Sequence, residues 1–220
     1  MRLVAQMIGV VLAGGEGRRF GGGKAEAQLG GATLAERAAR ALRPLCGSVV
    51  ISVAKGGSNP APGHATIEDA APHTGPLGGI AAAFSATGQA DLLVLACDYP
   101  AVGTSFLRAL LCEAGEGDNL VFPVDEGGRD HPLVALWRRG AEPVVREALA
   151  QRAYKVQSLL PDLAVRRVPA AVFANFDLGR TLANVNWLSD SSRSSTPEVR
   201  PTAGPAPRRA PPRISRPTGR

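Results

Sequence analysis

The chain has 220 residues, 45% of them hydrophobic and 20% charged, which is enough for one domain with its own core. Its net charge of +6 sits in residues 191–220, where seven Arg face one Glu, while the preceding 190 residues balance 18 basic against 18 acidic side chains. A neutral body with a basic tail excludes a nucleic-acid groove as the source of the high pI, and no nucleic-acid partner is expected.

Arg2 and the apolar residues that follow it superficially resemble a signal peptide. The run is too short to cross a bilayer, and its cleavage region would fall inside a glycine-rich loop. A cytoplasmic protein with no membrane partner is therefore expected.

Residues 8–13 form an apolar run that predicts a strand buried on both faces. It leads into Gly14-Gly15-Glu16-Gly17-Arg18-Arg19-Phe20-Gly21-Gly22-Gly23-Lys24. Glycine lets the main chain approach phosphate oxygens, its bare N–H groups donate to them, and Arg18, Arg19 and Lys24 add positive charge. A P-loop is excluded, because Arg18 stands where its first glycine belongs and Ala25 follows Lys24 in place of a hydroxyl residue. A dinucleotide fingerprint is excluded by the extra residue between Gly17 and Gly21. A ligand-free glycine turn would leave three cations repelling one another. The spacing resembles the L-A-G-G-x-x-x-R-[MF]-G-x-x-K signature of nucleotidyltransferases that activate small phosphorylated acceptors.

Residues 33–45 predict a helix, with a capping box from Thr33 and Glu36 and one face made by Leu34, Ala38, Ala41, Leu42 and Leu45. Residues 49–53 read as a strand. A short strand then ends in Ile67-Glu68-Asp69, ahead of Gly75-Pro76-Leu77-Gly78-Gly79. Pro76 suits the first turn of a helix over 76–87, and the glycines beside it let a ligand reach that N-terminus. Asp69 is a candidate acceptor for a nucleoside, or a plain loop carboxylate.

Residues 92–97 predict another apolar strand, ending in Asp98-Tyr99-Pro100. Asp98 would project at the ligand edge, where one carboxylate with phosphate oxygens and water commonly holds Mg²⁺. A helix cap is the plainer role for it. A helix over 104–114, strands over 120–123 and 133–137, and a helix over 141–151 complete the pattern. Between the last two strands, Arg129-Asp130-His131-Pro132-Leu133 offers a cation, a carboxylate and an imidazole, fit to grip an anionic acceptor or to form a salt-bridged turn. Asn184 and Asn186 place two amides on one face of an extended segment. Cys46, Cys97 and Cys112 lack metal-site spacing and are expected to be buried, reduced thiols. His64, His73 and His131 are too scattered for a metal cluster.

Strand and helix alternate, which predicts a three-layer α/β/α, Rossmann-like domain over residues 1–190 with a mainly parallel sheet. Ligands in such sheets bind outside the carboxyl ends of the strands. Residues 191–220 carry seven of the 18 prolines and almost nothing apolar, so a disordered tail is expected.

The ordered series L-A-G-G…R-F-G…K, E-D…G-P-L-G-G, C-D-Y-P, R-D-H-P-L and N-V-N resembles the molybdenum cofactor guanylyltransferase family over residues 8–188. The resemblance implies transfer of GMP from GTP to molybdopterin with Mg²⁺, giving the guanine dinucleotide cofactor and pyrophosphate. Carried over by position, Leu12, Ala13, Gly14 and Gly15 would line the nucleotide. Lys24 and Arg19 would meet its phosphates, Ser52 and Asp69 would bind it, and Asp98 would ligate magnesium. The segments 129–132 and 184–186 would face the pterin. The family also implies handover contacts with the molybdenum-insertion protein and with molybdoenzymes, and a monomer is expected.

There are departures from the family pattern. Gly23 stands where Asp often precedes the lysine, Ser52 where Asn is common, and Trp187-Leu188-Ser189-Asp190 where a last helix would begin. The acceptor is a phosphate monoester, largely dianionic near neutral pH because its second pKa is about 6. It needs no general base, which agrees with the lack of a His–Asp or Ser–His pair in the pattern. Cytidylyl transfer to the same pterin, nucleotidyl transfer to a sugar or polyol phosphate, and a non-catalytic nucleotide-binding module are the alternatives. The Gly14-Gly15 pair favours guanylyl transfer, because the cytidylyl relatives tend to carry L-A-A-G.

Overall fold

The computed structural model describes residues 7–14, 24–69, 71–88 and 90–184. Nine strands are found among them: β1 (Met7–Leu12), β2 (Gln28–Leu29), β3 (Ala32–Thr33), β4 (Ser48–Val53), β5 (Ala65–Glu68), β6 (Asp91–Ala96), β7 (Leu120–Pro123), β8 (Val134–Trp137) and β9 (Val165–Val168). The α-helices are α1 (Leu34–Leu42), α2 (Gly75–Ala86), α3 (Thr104–Cys112), α4 (Glu142–Ala150) and α5 (Leu178–Thr181).

Seven strands form one sheet in the order β5-β4-β1-β6-β8-β7-β9. The pairs β5–β4, β4–β1, β1–β6 and β7–β9 are parallel, while β8 runs antiparallel to both β6 and β7. The expected three-layer, mainly parallel α/β architecture is present. The reversal of β8 has a local cause. The connection from β7 is residues 124–133, folded back by the Val124–Asp130 bridge, and a parallel return would need a crossover of a dozen residues or more.

Alternate residues of the central strands point into two apolar layers. Val11, Leu93 and Leu95 pack with α1 and α3, while Val10, Leu92 and Val94 pack with α2 and α4. Both faces are covered, so these strands are apolar throughout. A stacked pair, Phe106 and Phe173 with ring centroids 4.5 Å apart, closes the α3 side.

Residues 34–42 are helical behind the expected capping box. The Thr33 hydroxyl accepts from Glu36 N at 3.0 Å, and Glu36 accepts from Thr33 N at 2.8 Å. At Pro44 the helix tightens into a 3₁₀ turn (Arg43–Leu45), because proline lacks the donor that would continue it. Sequence reading did not anticipate β9, the β2–β3 hairpin or α5. The hairpin turns on Gly30 and Gly31, at φ of 60° and 78°, as a two-residue loop of the primed type requires.

Cys46 and Cys97 are buried as expected, but Cys112 is exposed. Helix α3 buries Phe106, Leu107 and Leu110, and Cys112 falls off that face. Among the described residues no helix is long and apolar enough to cross a membrane. The expected disordered tail, the apolar start before Met7 and the variant segment 187–190 lie outside the described residues.

Candidate active site

The chain runs β1, β4, β5 outward on one side and then returns to place β6 on the other side of β1. That reversal opens a crevice at the carboxyl ends of β1 and β6, where ligands of open α/β sheets bind. The strand ends are pinned together: Ala13 N donates to Ser52 O at 2.9 Å, and Cys97 N donates to Leu12 O at 3.2 Å.

A cleft of about 820 Å³ occupies this edge, within the range of small-molecule sites. Leu12, Ala13, Gly14, Lys24, Ser52, Asp69 and Asp98 all line it. Seven residues predicted from four separated stretches of sequence thus share one wall. Gly15 and Arg19, with Gly17, Arg18 and Gly21–Gly23, lie outside the described residues.

Gly14 and Gly79 keep space in the cleft, and Gly78 lets α2 pack closely beside it. A Cβ on Gly14 would come within 3.0 Å of Ala54 N and 3.3 Å of Asp69 Oδ2. A Cβ on Gly78 would strike the Thr74 hydroxyl, and one on Gly79 would strike the Ser52 hydroxyl. The α2 N-terminus has no side-chain cap, carries Pro76 in its first turn and presents Gly75 and Gly79 to the cleft.

At one end Ser52 is fully buried and its hydroxyl donates to Asp69 Oδ1 at 3.0 Å. Burial pushes the Asp69 carboxyl above its ordinary pKa, and the Ser52 hydrogen bond opposes that rise. Its Oδ2 stays between Gly14 and Gly78. At the other end Lys24 Nζ lies 3.2 Å from Asp98 Oδ2, with the two side chains only 15% and 23% exposed. This pair joins the end of the glycine-rich loop to the end of β6.

Asp98 Oδ1 is buried with no hydrogen-bond partner among the described residues. An orphaned carboxylate oxygen is costly to bury, and it suits one ligand position on a hard divalent cation. No group of three or more His, Cys, Asp or Glu suited to a metal occurs among the described residues, so other ligands would have to come from phosphate and water. Cys97 beside it is no nucleophile. Burial first, then the Asp98 charge, push its thiol up to about 12.

A second cleft of about 780 Å³ adjoins the first and shares Pro76, Asp98 and Leu133 with it. Arg129, Lys155, Arg167, Tyr154 and Asn184 line its far side. The expected cluster at 129–133 divides here. Asp130 pairs with Arg167 at 3.1 Å, and His131 is 3% exposed, which is the salt-bridged turn for those two. Arg129, Asp130, Pro132 and Leu133 line this cleft together with Asn184, His131 lies behind them, and Asn186 lies outside the described residues.

Sequence reading missed Lys55, His73, Lys155 and Arg167 as lining residues. Lys55 follows β4, where the strand-end rule could have found it. His73 holds the left-handed backbone at φ 62°, a strained conformation with no sequence signal. Lys155 precedes a 3₁₀ segment (Val156–Asp162) and carries no motif at all.

Residues 9–167 match the family described as MobA-like NTP transferase domain. The "Probable molybdenum cofactor guanylyltransferase" of Pelotomaculum thermopropionicum is 32% identical over 186 residues, covering 84% of this chain and 90% of that one. The molybdenum cofactor guanylyltransferase of Pseudomonas putida is 32% identical over 180 residues, covering 80% and 91%. The solved structure of molybdopterin-guanine dinucleotide biosynthesis protein A from Archaeoglobus fulgidus superposes with a TM-score of 0.68 at 26% identity, covering 82% of this chain and 92% of that one. Together with a glycine-bearing strand end and a carboxylate that line one cleft, these likenesses identify the chain as a nucleotidyltransferase belonging to the MobA-like NTP transferase family.

Proposed function

We propose that the protein transfers GMP from GTP to the terminal phosphate of molybdopterin, releasing pyrophosphate. The observation that carries this reading is the shared wall of the two clefts. Asp98, Pro76 and Leu133 line both, so a nucleotide in one and a phosphorylated acceptor in the other would meet at Asp98. The names of the relatives supply guanine and the pterin.

An oxygen of the acceptor phosphate attacks the α-phosphorus, and the bond to the β-phosphate oxygen breaks with pyrophosphate leaving. Both partners are anions, so the protein's task is positioning and charge relief. Lys24 meets the phosphates of the nucleotide, and Arg19 is assigned beside it from the sequence signature. Asp98 Oδ1 would hold Mg²⁺, which supplies charge at the α-phosphate and the leaving group. Leu12, Ala13, Gly14 and Gly15 give the nucleotide backbone to lie against. Ser52 orients Asp69 toward the base, whose N–H groups suit a carboxylate acceptor. Arg129, Lys155 and Arg167 surround the acceptor with positive charge.

Pyrophosphate release should be measured from each of the four ribonucleoside triphosphates with Mg²⁺, with and without freshly prepared molybdopterin. Release from GTP alone, and only with the pterin, is the expected outcome. Release from CTP would replace guanylyl with cytidylyl transfer. Tight nucleotide binding with no release would overturn molybdopterin as the acceptor.

A further inference from the structure

A polar chain that the proposed reaction does not use runs from the turn after β6 into the connection between β7 and β8. Tyr99 Oη lies 3.3 Å from His131 Nδ1, and His131 Nε2 lies 3.0 Å from Asp125 Oδ2. Asp125 Oδ1 in turn accepts from Gly127 N at 3.0 Å and from Arg129 N at 2.9 Å. His131 is 3% exposed and Tyr99 7%, so solvent cannot replace either partner.

The chemistry gives this chain a direction. Burial would raise the Asp125 pKa, but the hydrogen bonds from Arg129 N, His131 and Gly127 N hold it below the usual carboxylate range. An ionised carboxylate can only accept, so His131 Nε2–H donates to it. A phenol keeps its proton near neutral pH, so Tyr99 Oη–H donates to the unprotonated Nδ1.

The ends of the chain belong to different parts of the site. Tyr99 is the residue after Asp98, in the turn at the end of β6. Asp125 closes the tight loop 125–130, in which Asp125 N donates to Arg129 O at 3.1 Å and Gly128 turns at φ 78°. That loop puts Arg129 on the wall of the second cleft. A histidine that only filled space would not need both ring nitrogens engaged by groups on two loops of one site.

We propose that His131 is a positioning residue: through the hydrogen-bonded chain Tyr99–His131–Asp125 it locks the Arg129-bearing loop to the turn that carries Asp98. The proposal rests on the reading of the second cleft as the acceptor site. It gives the protein a fixed distance between the groups that serve the nucleotide and the group that meets the acceptor.

The test uses the full chain with His131→Leu, His131→Gln and Tyr99→Phe. It reads kcat, KM for molybdopterin, Kd for GTP, melting temperature, and hydrogen exchange at the Gly127 and Arg129 amides. In His131→Leu, kcat/KM for the acceptor should fall about tenfold or more, with the GTP Kd held within about twofold. The Gln amide can replace Nε2, so His131→Gln should recover the acceptor KM and the slow amide exchange while kcat stays low. Tyr99→Phe should lower kcat and leave the acceptor KM unchanged.

The proposal is overturned if the variants change only the melting temperature, if GTP affinity falls in step with the acceptor KM, or if Gln performs no better than Leu. Should His131→Leu fail to fold, Gln and Tyr99→Phe carry the same decision. A wild-type protein that does not turn over GTP with molybdopterin would overturn the proposed function instead. The amide exchange of Gly127 and Arg129, which needs no acceptor, would then decide the coupling alone.

Discussion

The nucleotide cleft takes its walls from the parallel half of the sheet, at the ends of β1, β4, β5 and β6, with glycine at its tightest approaches. The second cleft takes its walls from the other half, where β8 is reversed, and from loops far apart in the chain, with long charged side chains at its rim. One side is backbone made bare; the other is side chains brought together. Loss of a glycine should therefore act on nucleotide binding, and loss of a cation on the acceptor.

Asp98 belongs to both clefts, and its loss should have the largest effect. Asp98→Ala is expected to lower kcat by about a thousandfold while circular dichroism keeps the wild-type form, since removal of an orphaned buried oxygen offsets loss of the Lys24 ion pair. A metal-dependent Asp98→Ala enzyme of wild-type rate would remove Asp98 from the reaction.

Next in size is the glycine wall. Gly14→Ala pushes a methyl group onto Ala54 N and Asp69 Oδ2 and should weaken GTP binding by about a hundredfold, with calorimetry as the check. Arg129→Ala should instead raise the acceptor KM about tenfold and leave GTP affinity unchanged. Equal effects of both substitutions on both substrates would dissolve the distinction between the two clefts.

Ser52→Ala should be milder. It removes one hydrogen bond to Asp69, worth about 1 kcal/mol, and should weaken GTP binding by about fivefold. The Ser52 hydrogen bond also lowers the Asp69 pKa against the burial that raises it, so the variant's GTP affinity should fall away with acid at a higher pH than in the wild type.

The smallest effect concerns stability in acid. Burial would raise the Asp118 pKa, but hydrogen bonds from Arg166 and Gly115 N and the charges of Arg166 and Arg138 bring it below the ordinary value. Its contribution is complete above the unfolded carboxylate pKa of about 3.9 and is lost as pH falls through the native value. Asp69 acts with the opposite sign. Its raised native pKa makes its contribution complete below the unfolded value and lost as pH rises through the native one. Asp118→Asn should flatten the acid limb of a melting-temperature profile and leave GTP binding alone, since Asp118 lies away from both clefts.

Much of the first cleft's lining was legible because each lining stretch is local. Leu12, Ala13 and Gly14 are consecutive, Asp69 directly follows β5, and Asp98 follows β6 within two residues. Each shows itself as an apolar run that breaks into glycine or carboxylate. The second cleft offered less. Arg129 was visible only beside His131, and the structure separates their roles, one facing the cleft and the other buried behind it. Lys155 and Arg167 gave no signal, because a single cation in a polar stretch looks the same whether it faces solvent or a cleft.

By itself the sequence determined the layers of this protein and the break of β1 into glycine. Apolar strands covered on both faces, a capped amphipathic helix and a glycine run are dictated by backbone conformation and by burial of near neighbours. Only the tertiary structure decided that β8 reverses, that Lys24 meets Asp98, and that Tyr99, His131 and Asp125 form one chain. Those contacts join residues up to 74 positions apart, and their partners are chosen by how the layers dock, which no local pattern records.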